Sequence, residues 1–198
     1  MTAPTHGQTP SQTVGPYFAY GLTPEQYGYD LRSLFGPRLA EPHAPGEHIR
    51  LHGQVFDGAG QPVDDALIEI LHADAAGGLV QSAEQARAGG FRGFGRAGTG
   101  TAGAGGFAFD TVKPGATAPD SAPHIDVIVL MRGMLNHAFT RIYFDDEPEA
   151  NARDAVLAQV PAERRATLVA RREQLPGGVA YRFGVRMQGA LETVFFDL

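Results

Sequence analysis

The sequence predicts an all-β fold: an antiparallel β-sandwich core with short peripheral helices and an extended N-terminal arm. Two observations carry this. About seven short segments show strand patterning, separated by turns in a chain with 26 Gly and 14 Pro, and no helices alternate with them as a parallel α/β sheet would require. The 198 residues, 43% hydrophobic and 19% charged, suit one domain with a substantial core.

Residues 1–20 lack helical or strand periodicity, and Pro4, Pro10 and Pro16 argue for an extended arm. Thr23, with Glu25 and Gln26 behind it, predicts a short helix within 23–35 despite Gly28, and a Pro-rich loop completes an N-terminal segment of residues 1–47. Residues 48–198 form the sandwich domain. Its first strand is marked by Ile49, Leu51, Gly53 and Val55 alternating with Arg50, His52, Gln54 and Phe56; the turn DGAGQPV then leads into DDALIEILHA, the pattern of a β-hairpin. Residues 73–106 are too Gly-rich for regular strands, and a loop of that length in a compact domain is functional or mobile. GGFAFDTVKPG supplies a strand ended by a Pro-Gly turn, HIDVIVLMRG and NHAFTRIYF two more, and VAYRFGVRMQG and ETVFF the last. Between them, residues 147–175 predict a helical insertion in two pieces, because Pro161 breaks the first and suits the opening turn of the second.

Several classes of chemistry are excluded. The chain has no cysteine, hence no disulfide, thiolate metal site or cysteine nucleophile. The first residues carry no signal-peptide pattern and no apolar run is long enough to span a bilayer, so a soluble cytoplasmic protein without membrane contact is expected. A net charge of -6 disfavours nonspecific attraction to nucleic acid. Arg164, Arg165, Arg171 and Arg172 read as a solvated basic helix face, and GFGRAGTGTAGAGG lacks the Lys-Ser/Thr ending of a phosphate-binding loop.

The candidate chemistry lies in SAPHIDVIVLMRGMLNHAFTRIYFDD, residues 121–146. On a strand, His124 and Asp126 point the same way with backbones roughly 6 to 7 Å apart, so they could share a metal; a lone strand-end His hydrogen-bonded into the fold is the alternative. Arg132 lies roughly 26 Å beyond His124 along an extended strand and belongs to a different locus. It suits either a carboxylate ligand or an internal ion pair. In the arm, TPSQTVGPY places Gly15, which permits close approach, beside the stiffening Pro16, a combination able to line a pocket wall or to pack on its own domain.

Taken together, TPSQTVGPY, GQVFDGAGQPVDDALIEI, FGRAGT, FDTVKPG, APHIDV, RIYFDDE and the ending ETVFFDL occur in an order that resembles the intradiol aromatic-ring dioxygenases, over nearly the whole chain from Thr9 to Leu198. The resemblance implies a β-sandwich and a non-haem Fe(III) site of two tyrosinates and two histidines, suited to activating a catecholate for ring cleavage by O2. Here those four positions hold Leu79, Thr117, His124 and Asp126, so the resemblance implies a degenerate site in this chain. It further implies an alpha-type subunit whose Fe(III) is carried by a homologous beta subunit in a higher-order alpha-beta hetero-oligomer, with protocatechuate and O2 as substrates and 3-carboxy-cis,cis-muconate as product. In such alpha chains the arm and a strand-end arginine reach the partner's pocket. Gly15, Pro16 and Arg132 match those substrate-lining positions. Two other readings stand beside it: a stand-alone β-sandwich binding module for an aromatic acid or protein partner, and a self-sufficient metalloenzyme using His124, Asp126 and a ligand such as His137.

Overall fold

The computed structural model describes Thr13, Gly15 and residues 17–103 and 105–197. Alternation of apolar and polar side chains builds the strands. In β1 (His48–Phe56), Ile49, Leu51 and Val55 are buried; in β5 (Ile125–Leu130), Ile125, Val127 and Val129 are buried while Asp126, Ile128 and Leu130 face the other way. With β2 (Leu67–Leu71), β3 (Phe94–Gly98), β4 (Gly106–Val112), β6 (Ala138–Phe144), β7 (Val169–Leu175) and β8 (Gly178–Arg186), they form one eight-stranded sheet in the order β3-β2-β5-β6-β7-β8-β1-β4. The sheet curls on itself as a barrel-like sandwich: its end strands β3 and β4 approach each other, and both halves send side chains into one core, Ile68, Ile70 and Val127 against Leu51, Phe107, Phe109, Phe183 and Val185. Each fully buried Leu, Ile or Phe there contributes about 1.5–3 kcal/mol. Most strand pairs are antiparallel, but β1 with β8 and β6 with β7 are parallel, which local strand patterning does not reveal.

Several local expectations are corrected. The first two strands do not form a hairpin: the Asp57–Gln61 turn closes, with Val63 N–H donating to Val55 O, but β2 then pairs with β3 and β5, whereas β1 lies between β4 and β8. Residues 73–106 are not strand-free. They contain α2 (Ala83–Gly89), capped by Ser82, and β3, whose glycines admit close neighbours. The helical insertion is shorter than 147–175: α3 (Pro148–Arg153) and α4 (Ala155–Gln159) precede Pro161, only a 3₁₀ turn Arg165–Leu168 follows it, and residues 169–175 are β7. Pairing to Tyr143 and Phe144 on one side and to β8 on the other overrides the helix-favouring composition of VARREQL. The four arginines therefore share no helix face, and Arg164 and Arg165 instead donate to the carbonyls of Glu192, Val160 and Ala158. Finally, ETVFF makes an isolated bridge, Phe196 to Phe139, rather than a strand.

At the N-terminal end, α1 (Tyr17–Leu22) occupies part of the segment expected to be extended, and the helix expected within 23–35 is a single 3₁₀ turn, Pro24–Tyr27, stopped by Gly28 in the left-handed region at φ 75°. A second apolar cluster of Ala122, Tyr143, Leu157, Val160 and Leu168 seats α4 and the loop before β5 on the sheet. Among the described residues no helix is long and apolar enough to cross a membrane.

Candidate functional site

His124 immediately precedes β5, and the strand alternation carries its side chain to the face that bears Asp126; His124 Nε2 and Asp126 Oδ2 are 4.0 Å apart. His124 Nδ1 donates to the Ala122 carbonyl at 2.7 Å, which fixes the ring, and Ser121 Oγ lies 3.4 Å from the same nitrogen. Thr117 Oγ1 donates to Ser121 Oγ at 3.3 Å. The loop bearing Leu79 packs beside Thr117: Gly115 N–H donates to Asp74 O at 2.8 Å, and a Cβ at Gly77 would stand 2.1 Å from the Ala116 carbonyl. Leu79 itself is exposed. The structure therefore gathers the loops carrying Leu79 and Thr117 beside the start of β5.

A ferric ion does not fit this donor set. Leucine supplies no ligand and threonine no phenolate. Asp126 is opposite Arg141 across the β5–β6 ladder, and its Oδ1 accepts from Arg141 Nε at 2.8 Å, so a fixed guanidinium already neutralises the carboxylate. Tyr143 stands near His124, ring centroids 6.1 Å apart, but its hydroxyl donates to Asp154 Oδ1 at 2.9 Å, and burial pushes the phenol well above its ordinary value. Among the described residues, no group of three or more His, Cys, Asp or Glu side chains is arranged to hold a metal.

Behind this cluster His72 is buried on the sheet. The Ala73 carbonyl can only accept, so Nδ1 carries the proton and donates to it at 2.7 Å, while Nε2 accepts from Thr111 Oγ1 at 2.8 Å. Burial lowers its pKa from 6.5 to about 4, with the Ala73 bond opposing the shift. The unfolded chain takes up this proton as pH falls through 6.5 and the folded chain only near 4, so the folded state loses about 3 kcal/mol across that window. Urea titrations at pH 7 and pH 4.5 should show a drop in stability that His72→Asn reduces; an unchanged pH slope in the variant would remove His72 as its source.

The other locus lies past the far end of β5. Arg132 lines an open groove of about 750 Å³ with Met131, Met134, His137, Phe139 and Phe195. His137 packs edge-on against Phe139 with ring centroids 4.4 Å apart, and the register sets it opposite the C-terminal end of β5, away from His124. A joint site of His124, Asp126 and His137 is therefore not formed. Arg132 pairs with Asp65, just before β2. The arm approaches here as well: Thr13 Oγ1 accepts from Gly133 N–H at 3.3 Å, and Gly15 is in the left-handed region at φ 64°. Pro16 lies outside the described residues.

Sequence reasoning missed Arg141, Tyr143, Asp154 and Asp65. Arg141 and Tyr143 sit two apart in a strand, a spacing that could have marked them as one polar face, but their partners come from register and helix packing. Asp154 did carry a signal, an acidic residue before the apolar turn AVLAQ.

A family model described as Dioxygenase matches residues 15–189, and the chain belongs to the intradiol dioxygenases, an iron-dependent family. It is 63% identical over 192 residues to the protocatechuate 3,4-dioxygenase alpha chain of Burkholderia cepacia, across 96% of this chain and 98% of that one. The protocatechuate 3,4-dioxygenase beta chain of the same organism is 32% identical over 135 residues, across 64% of this chain and 56% of its own. Among solved structures, the dioxygenase domain of a dioxygenase carbohydrate-binding protein fusion from Streptomyces sp. SirexAA-E superposes with a TM-score of 0.62 at 25% identity, across 95% of this chain and all of that one.

Proposed function

We propose that this chain is the alpha subunit of a protocatechuate 3,4-dioxygenase, which cleaves protocatechuate with O2 between its hydroxyls to give 3-carboxy-cis,cis-muconate. The observation that carries this reading is the 63% identity to an alpha chain over almost the full length of both proteins. The donor set at Leu79, Thr117, His124 and Asp126, unsuited to Fe(III), supports the corollary that a homologous beta subunit holds the metal, and the beta chain's own similarity to this sequence supports a paired assembly of related chains. Fe(III), when bound there, supplies catecholate activation. This chain's part is binding and orientation in a soluble, cytoplasmic alpha-beta hetero-oligomer: Gly15 and Pro16 line the pocket wall, and the Arg132 guanidinium receives the ring carboxylate of protocatechuate.

Co-expression with a beta subunit tests the reading, with iron measured in each chain and turnover measured with and without the partner. A stable monomer indifferent to any beta chain would favour the stand-alone binding module. In the assembled enzyme, Arg132→Ala is expected to raise KM for protocatechuate about 10- to 100-fold, the loss of a charge-assisted carboxylate contact, while plain catechol changes less than about twofold. Equal changes for both substrates would make Arg132 structural.

A further inference from the structure

The Arg132–Asp65 pair contributes little to folding, because the Arg132 side chain is 59% exposed and such pairs are weak in water. What it supplies is direction. Asp65 stands on a fixed stretch of backbone: the next residue, Ala66, donates its N–H to Thr99 Oγ1 at 3.1 Å and accepts from Thr99 N–H at 2.9 Å. Asp65 engages Arg132 at Nε. A guanidinium engaged at Nε keeps its four Nη–H donors, the fork that receives a carboxylate. Arg132 also lines the open groove, so the groove offers those donors an approach.

The root of the N-terminal arm converges on the same carboxylate. Tyr27, in the 3₁₀ turn after α1, has its phenol raised first by burial and then by Asp65, with Arg132 acting in the opposite sense, which places the three side chains within electrostatic reach of one another. Tyr20 of α1 stacks edge-on against Tyr27 with centroids 4.7 Å apart. Gln26 lies flat on two glycines: a Cβ at Gly98 would stand 1.8 Å from its Oε1, and one at Gly100 2.7 Å from its Nε2. Gly133 N–H, donating to Thr13 Oγ1, adds a direct contact between the arm and the Arg132 turn.

We infer that Asp65 is a positioning residue, which aims Arg132 at the carboxylate of an aromatic acid bound in the partner's pocket and ties that aim to the root of the arm. The inference rests on the alpha-subunit reading above. Its test uses the assembled alpha-beta enzyme with Asp65→Asn, Arg132→Ala and the double variant, with protocatechuate and plain catechol as substrates. Asp65→Asn should raise KM for protocatechuate about fivefold, leave kcat and the catechol constants unchanged, and have no further effect once Arg132 is alanine. A change shared by both substrates, one that persists in the Arg132→Ala background, or a lowered KM for protocatechuate overturns the positioning role; the last would make Asp65 a competitor of the substrate. An Arg132→Ala enzyme without selectivity for protocatechuate would instead sink the underlying reading, whereas selective Arg132→Ala with silent Asp65→Asn sinks only the role of Asp65. Should asparagine at 65 prevent assembly, Asp65→Glu, which shifts the charge by one methylene, is read by the same protocatechuate KM against catechol.

Discussion

Replacing Asp154 by alanine is expected to destabilise the chain by about 4 kcal/mol, the sum of a lost helix cap and buried donors left without an acceptor. Asp154 is 1% exposed. Its Oδ1 accepts from Tyr143 OH at 2.9 Å, Val156 N–H at 3.0 Å and Leu157 N–H at 2.7 Å, and its Oδ2 accepts from Ala122 N–H at 2.8 Å. One carboxylate thus joins β6, α4 and the loop that delivers His124. Burial alone would raise its pKa, but the Leu157 and Ala122 amides and the Tyr143 hydroxyl outweigh burial and hold the carboxyl below its usual range. The stabilisation is therefore complete above the ordinary carboxylate pKa near 4 and fades as pH falls through the lower folded value. Urea midpoints measured at constant m-value would read the loss, and a cost below about 1 kcal/mol would contradict this account of the cluster. Asp154→Asn keeps one oxygen acceptor, so it should cost less than alanine and show a shallower acid limb.

Gly53→Ala is the second large effect, expected to cost about 3–5 kcal/mol or to prevent folding. Gly53 is paired in parallel with Phe183 and antiparallel with Phe107. A Cβ there would stand 1.6 Å from the Phe183 carbonyl oxygen and 2.9 Å from the tip of the Phe107 ring. Neither the β8 backbone nor a fully packed phenylalanine can yield without opening the β1–β8 seam. By contrast, Gly177→Ala meets nothing within 4 Å and serves as the control. Circular dichroism and urea unfolding of the two variants would separate a local clash from a general intolerance of alanine.

What could be read from the chain follows the range of the physics involved. Period-two alternation is local, so Ile49–Val55 and Ile125–Val129 announced strands and their buried faces. Pairing is not local. The DGAGQPV turn has the chemistry of a hairpin, yet β2 pairs with β3 and β5 rather than with β1. VARREQL is composed of good helix formers, and only its neighbours in the fold make it a strand. At the candidate site, spacing alone brought His124 and Asp126 to one side and sent Arg132 elsewhere. The cross-strand guanidinium of Arg141, fifteen residues from Asp126, required the β5–β6 register, and the pairing of Asp65 with Arg132 required the sheet order as well.

The position of β1 between β4 and β8 has a consequence for biosynthesis. Its parallel partner β8 is synthesised last of the eight strands, so one side of an interior strand stays unpaired until Gly178–Arg186 has left the ribosome. Until then Leu51 and Val55 await a complete shell, and a nascent chain stalled before Gly178 exposes a sticky ribbon edge to chaperones and to other unfinished copies. Synthesis of β8, rather than completion of the first half, sets the moment at which this sheet closes.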